Sequence, residues 1–239
     1  MTCFLTSAPP FDRLTYTFTD ENGFISGIKA ALKGRERLLF ICSDPDDYEQ
    51  TEFSAHKISA TFADSGVSFS RMDVLDGRNA DKAAELVSAA DMIVLEGGHV
   101  PTQNCFFAEI RLKELLNGFD GVLMGISAGS MNSASTVYAQ PEREGEAADP
   151  DYRRFLPGLG LTDIMMIPHY QEIKNDVLDG LRVFEDIAYP DSTGRRFYAL
   201  VDGSYLLIKD GTQALCGEAY LIENGVLTQI SKAGDVIPV

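Results

Sequence analysis

Short apolar runs recur along the first half of the chain, each followed by a stretch with helical spacing, and this alternation limits the fold more than any other feature. Cys3 to Ser7, Arg37 to Cys42, Val67 to Met72, Asp91 to Leu95 and Gly121 to Ile126 have the character of strands. Between them, residues from about Asp20 to Leu32, Tyr48 to Asp64, Asp81 to Ala89 and Thr102 to Leu116 have the spacing of helices. Strands that alternate with helices predict a mostly parallel sheet covered on both faces, because parallel strands need a crossover to return. Functional loops of such sheets lie at the carboxyl ends of the strands.

Two of those ends carry unusual residues. The Asp91–Leu95 run opens into Glu96-Gly97-Gly98-His99. The Gly121–Ile126 run opens into Ser127-Ala128-Gly129-Ser130-Met131, so that Gly125-Ile126-Ser127-Ala128-Gly129 reads as the sharp strand-turn-helix of a nucleophile elbow. Such a turn leaves no room for bulky flanking residues, which suits Gly125 and Gly129. It lifts a serine hydroxyl to the sheet edge beside backbone N–H groups able to hold an oxyanion. A Gly-rich turn with Ser127 as a helix cap would carry the same letters.

Further along, Gln140 to Pro150 is acidic and rich in breakers and predicts a long loop. Ile164 to Ile167 is a short strand entering Pro168-His169-Tyr170, and Asp176 to Ile187 has helical spacing. From Phe197 to Ser231, runs separated by Lys209-Asp210-Gly211 and Glu223-Asn224-Gly225 predict antiparallel hairpins, added to the sheet edge or forming a second small sheet. The whole of 1–239 reads as one α/β domain with this meander, about 197–239, inside it.

Composition narrows the function. A net charge of −16 argues against nucleic acid, whose phosphates would be repelled. No run approaches the ~18 apolar residues of a membrane span, and the first residues read as a strand, which points to a cytosolic protein. The four cysteines are scattered without ligand spacing, three of them in apolar strand or helix patterns, and no metal or cofactor is expected. Of three histidines, His56 sits mid-helix while His99 and His169 follow strand ends.

Taken together, Gly97-Gly98-His99, Gly125-Ile126-Ser127-Ala128-Gly129 and Pro168-His169-Tyr170 resemble the S51 peptidases, the family of dipeptidase E and cyanophycinase. The resemblance implies a three-layer α/β/α sandwich of the class I glutamine amidotransferase-like kind and a serine-type dipeptidase or exopeptidase that cleaves small peptides or isopeptides through an acyl-enzyme. It implies Ser127 as nucleophile, His169 as general base and acid, and the N–H groups of Gly98 and Ala128 as the oxyanion hole. The family's acid lies between serine and histidine, where Glu142 is favoured and Glu144, Glu146 and Asp149 compete. His99 stands where dipeptidase E usually carries asparagine. With Gln103 it is a candidate for substrate contact, and the departure puts aspartyl specificity in question. No arginine is evidently placed to bind a substrate carboxylate; Arg195 and Arg196 are candidates that no motif supports. The acidic loop fits a lid or filter that disfavours acidic substrates.

The expected partner is a small peptide, the expected assembly a monomer or homodimer. A glutamine amidotransferase-like enzyme is disfavoured, since that chemistry uses a thiolate and Cys105 lies within a helix pattern. A non-catalytic binding protein on the same fold remains the other alternative.

Overall fold

A computed structural model describes residues 1–32 and 37–239. Its large sheet runs Val236–Pro238, Thr212–Cys216, Tyr205–Lys209, Thr2–Thr6, Val122–Ile126, Met92–Leu95, Arg37–Ile41, Arg71–Leu75. The last five are parallel to one another, and the first three join by antiparallel pairing onto Thr2–Thr6.

The two-residue period of the strands divides the interior into two cores. Leu39, Ile41, Ile93, Leu95 and Leu123 point to one face, against Val87 of helix Ala83–Ala89, Phe106 and Phe107 of helix Val100–Glu109, and Leu112. Leu38, Phe40, Met92, Val94, Val122 and Met124 point to the other, against Phe24 and Ile28 of helix Phe24–Leu32 and Phe62 of helix Tyr48–Asp64. Both faces are dry, which is why these strands read as unbroken apolar runs. Full burial of each such side chain contributes about 1.5–3 kcal/mol. The outcome is a mixed α/β architecture with helices on both sides of a mostly parallel sheet, as the alternation predicts.

A second sheet has the order Met165–Ile167, Arg196–Leu200, Ala219–Glu223, Val226–Ser231. Met165–Ile167 and Arg196–Leu200 are parallel, with Ile167 opposite Ala199. Ile167, Phe197, Ala199 and Ile222 form its core with Val183 and Phe184, and Tyr138 stacks on Phe197 at 4.1 Å. The expected meander therefore divides between the two sheets.

Three expectations shift. The strand expected at 67–72 lies at Arg71–Leu75, because Val67 still closes the preceding helix through its N–H to Phe62 O, and pairing with Arg37–Ile41 begins at Arg71. The helix expected over 102–116 starts at Val100 and breaks at Arg111, whose φ of 54° is left-handed. In place of a helix over 176–187 there is a hairpin, Val177–Leu178 with Leu181–Arg182, followed by a π-helical turn Val183–Ala188. Asp179-Gly180 makes that turn with φ of 53° and 81°, the primed-turn chemistry of Asp-Gly. The loop expected over 140–150 is closed at its base by the antiparallel pairing of Thr136–Tyr138 with Phe155–Pro157. No described helix is long and apolar enough to cross a membrane.

Candidate active site

Strand ends of the two sheets meet at one place. Thr6 lies opposite Ile126 in parallel register, so Ser7 and Ser127 leave adjacent strands together. Ser127 takes φ 48° and ψ −109°, a conformation that non-glycine residues rarely adopt. Its N–H donates to Thr6 O and Ser7 O at 3.1 and 3.0 Å, which holds the turn against the neighbouring strand. The two glycines of the elbow are required by space. A Cβ on Gly125 would stand 2.8 Å from Ser130 N, and one on Gly129 2.5 Å from Leu95 O.

On the second sheet, the parallel pair Met165–Ile167 and Arg196–Leu200 ends in His169 and Asp202. His169 is also left-handed, at φ 57° and ψ 31°. Its Nε2 lies 2.9 Å from Ser127 Oγ and its Nδ1 2.8 Å from Asp202 Oδ1. Ser7 completes the assembly. Its Oγ accepts the His169 N–H at 2.7 Å and donates to Asp202 Oδ1 at 2.7 Å. The Asp202 N–H in turn donates to Gln171 Oε1 at 3.0 Å.

Charge follows the geometry. Burial disfavours the charged form of His169, but the hydrogen bond and charge of Asp202, with Glu172 and Glu142 added, outweigh it and leave its pKa above the usual 6.5. Asp202 also feels burial, which acts upward, yet its bonds from His169, Ser7 and Gln171 hold it below the ordinary carboxylate value. An anionic Asp202 fixes the proton on Nδ1 and leaves Nε2 free to take one from Ser127. That arrangement can perform acyl transfer. His169, Glu172 and Asp202 also form a group that could ligate a metal, but Nδ1 and Oδ1 are already bonded to each other.

Glu142 does not orient His169. Its Oε1 accepts the Val100 N–H at 3.1 Å, at the start of helix Val100–Glu109, and it lines the cavity in front of Ser127. The acidic loop carries it away from Nδ1, which Asp202 already occupies. Glu146 Oε2 accepts the N–H groups of Glu142 and Arg143, and its Oε1 meets His99 Nε2 at 2.7 Å. Asp149 accepts from Asp151 N–H, and Glu144 is exposed. None of these three meets His169.

The two candidates for substrate contact are both bonded within the protein. His99 has both ring nitrogens engaged, by Thr102 Oγ1 at 2.7 Å and by Glu146, so it anchors the acidic loop. Gln103 is fully buried, with Nε2 donating to Glu96 O and Oε1 accepting from Asn132. Gly97 abuts the elbow, where a Cβ would lie 3.4 Å from Ser127 Cβ; Gly98 follows at the exposed end of that turn. Ala128 begins the short helix after the serine. Arg196 pairs with Glu223 and Arg195 stacks on Phe155. Of the cysteines, Cys3, Cys42 and Cys216 are buried and Cys105 is exposed.

Asp202 carries a signal that sequence reading passed over. It is the first polar residue after a strand, in Val201-Asp202-Gly203, and a carboxylate at a strand's carboxyl end belongs to the same class of position as Ser127 and His169.

The cavity over Ser127 has a volume of about 270 Å³. Its walls include Val100, Met131, Ile167, Ile173 and Val183, with Glu142, Gln140 and Asp176 as polar members beyond Ser127 and His169.

Comparison with known proteins agrees with this architecture. The profile of peptidase family S51 matches residues 19–216. Among solved structures, the chain is similar to a peptidase from an acI-B1 Actinobacterium, at TM-score 0.65 and 17% identity, covering 100% of this chain and 96% of that one. It is also similar to a putative peptidase E protein from Listeria monocytogenes EGD-e, at TM-score 0.60 and 15% identity, covering 96% and 98%. No curated protein matches.

Proposed function

The chain belongs to peptidase family S51, and from that premise we propose that it hydrolyses short peptides through a triad of Ser127, His169 and Asp202. The observation that carries this reading is the pair of contacts on His169, 2.9 Å to the serine hydroxyl and 2.8 Å to the carboxylate. Ser127 Oγ attacks the scissile carbonyl while His169 Nε2 accepts its proton. Asp202 holds the imidazole in the required tautomer and stabilises the imidazolium. The N–H groups of Gly98 and Ala128 receive the oxyanion, and the loss of one such donor costs about 3–4 kcal/mol of barrier. The tetrahedral intermediate expels the amine, which takes the proton from Nε2. Water then enters by the same route in reverse and frees the acyl group.

The size of the cavity supports a short substrate, since about 270 Å³ lies just below the range of ordinary small-molecule sites. A non-catalytic reading would be favoured by a His169 out of reach of Ser127, and the contact between them weighs against it.

Intact-mass analysis after treatment with a fluorophosphonate tests the chemistry. A single adduct is expected on wild type, absent from Ser127→Ala and strongly slowed in His169→Ala and Asp202→Asn. An adduct that persists in Ser127→Ala would overturn the assignment. A length series from dipeptide to hexapeptide tests size, with turnover expected to fall as length grows.

A further inference from the structure

One buried amide ties together the carboxyl ends of three neighbouring parallel strands. Gln103, on helix Val100–Glu109, has no exposed surface. Its Nε2 donates to Glu96 O at 2.7 Å, just past strand Met92–Leu95, and reaches Cys42 O at 3.4 Å, just past strand Arg37–Ile41. Its Oε1 accepts from Asn132 Nδ2 at 3.0 Å. Asn132 is equally buried and closes the short helix Ala128–Met131 that follows strand Val122–Ile126, its N–H donating to Ala128 O at 2.8 Å. Asn104 Nδ2 donates to Asn132 Oδ1 at 2.9 Å, and Asn132 Nδ2 also donates to Val100 O at 3.2 Å.

The bridge ends on the two segments that carry the proposed oxyanion donors. Glu96 O belongs to the peptide that enters Gly97-Gly98, and Asn132 closes the turn that Ala128 opens. Gly97 and Gly98 have no side chains to fix them and a wide backbone freedom, so their position is set by what precedes them and what packs on them. Glu96 is held on both sides, its carbonyl by Gln103 and its carboxylate by the Ser43 N–H and hydroxyl at 2.9 and 3.2 Å. Gly98 packs on that same Ser43, where a Cβ would stand 2.5 Å from its Oγ. The helix after the nucleophile rests on this strand end, since a Cβ on Gly129 would meet Leu95 O at 2.5 Å and Glu96 O at 2.9 Å. An apolar residue at 103 would fill the space but take these bonds from Glu96 O and Asn132 Nδ2. A buried amide bonded at both ends instead fixes the two segments in one arrangement.

We propose that Gln103 is a positioning residue, which by tying Glu96 O to Asn132 sets the spacing of the Gly98 and Ala128 N–H groups that receive the oxyanion. The inference rests on the peptidase reading for the use of those donors, whereas the spacing itself is a property of the folded chain. None of these side-chain bonds goes to Ser127, His169 or Asp202. Loss of Gln103 should therefore slow the reaction without moving the titration of His169.

Intact-mass time courses with a fluorophosphonate separate the roles, because the rate constant reports the reacting site and the final extent reports the folded fraction. Gln103→Met, which keeps the bulk and removes the amide bonds, should be labelled to the wild-type extent but about 10- to 100-fold more slowly, the scale of a misplaced oxyanion donor. The pH midpoint of labelling should match that of wild type. In amide NMR spectra of this variant the Gly98 and Ala128 signals should shift, while that of Gly203, beside Asp202, should not. Combining Gln103→Met with Asn132→Leu removes the partner left unpaired and should recover thermal stability, while labelling stays slow. Should Gln103→Met fail to fold, the double variant carries the same readouts; failure of both to fold overturns a positioning role separable from the fold. The proposal is also overturned if Gln103→Met is labelled at the wild-type rate, if its pH midpoint moves, or if the double variant regains the wild-type rate with its stability. A wild type that is not labelled removes the peptidase reading alone. The amide spectra then decide, and unmoved Gly98 and Ala128 signals would overturn the positioning.

Discussion

Asp202 leaves the end of a strand whose register is set residue by residue against Met165–Ile167, whereas Glu142 leaves a loop held by its own carboxylates. The strand delivers Asp202 to His169 Nδ1 at 2.8 Å and Ser7 locks it there. The loop delivers Glu142 to a helix start and to the cavity wall. Backbone regularity separates the two carboxylates: the one on a strand bonds the histidine, the one on a loop lines the cavity.

The largest expected effect tests what both carboxylates serve. Ser127→Ala should lower kcat by about 10⁶-fold, the scale found for loss of a triad nucleophile, measured on any peptide the wild type cleaves. The next is the direct contrast. Asp202→Asn should reduce kcat by about 10⁴-fold through the wrong tautomer of His169, while Glu142→Gln should cost at most about 10²-fold and raise KM. Equal losses in kcat would erase the distinction.

A third measurement concerns the elbow itself. Gly129→Ala forces a Cβ to 2.5 Å from the Leu95 carbonyl and should destabilise the fold by about 1–3 kcal/mol in denaturant unfolding. The smallest effect is the sharpest comparison. Activity needs neutral His169, so kcat/KM should rise with pH through a midpoint above 6.5. Burial lowers that midpoint and Asp202 is the largest influence raising it. Asp202→Asn should therefore move the limb to lower pH, and Glu142→Gln should move it the same way by less.

Much of this was readable from residues alone. Four of the five parallel strands announce themselves because both of their faces are buried, and Gly125 and Gly129 announce the elbow because nothing larger fits. Asp202 was hidden for a physical reason: the parallel pairing of Met165–Ile167 with Arg196–Leu200 joins segments far apart in sequence, so nothing local says that the two ends coincide. His99 and Gln103 admit two readings for a related reason. Polar residues after a strand end can serve a ligand or satisfy buried backbone, and only the three-dimensional partners distinguish the two. The acidic loop shows the same ambiguity, since a run of carboxylates looks solvated until Glu146 and Asp179 are seen accepting from loop N–H groups. The hairpin at 177–182 was legible in Asp179-Gly180, but the apolar spacing around it imitates a helix.

The positive φ values of Ser127 and His169 carry a consequence for how such a protein changes over time. Both residues sit on backbone a glycine would occupy with less strain. Relieving that strain at Ser127 favours the folded state while abolishing the nucleophile, so selection for thermal endurance alone would drift toward silent relatives. Ser127→Gly is the variant in which this conflict is plainest: an inert protein whose melting temperature should equal or exceed that of the wild type.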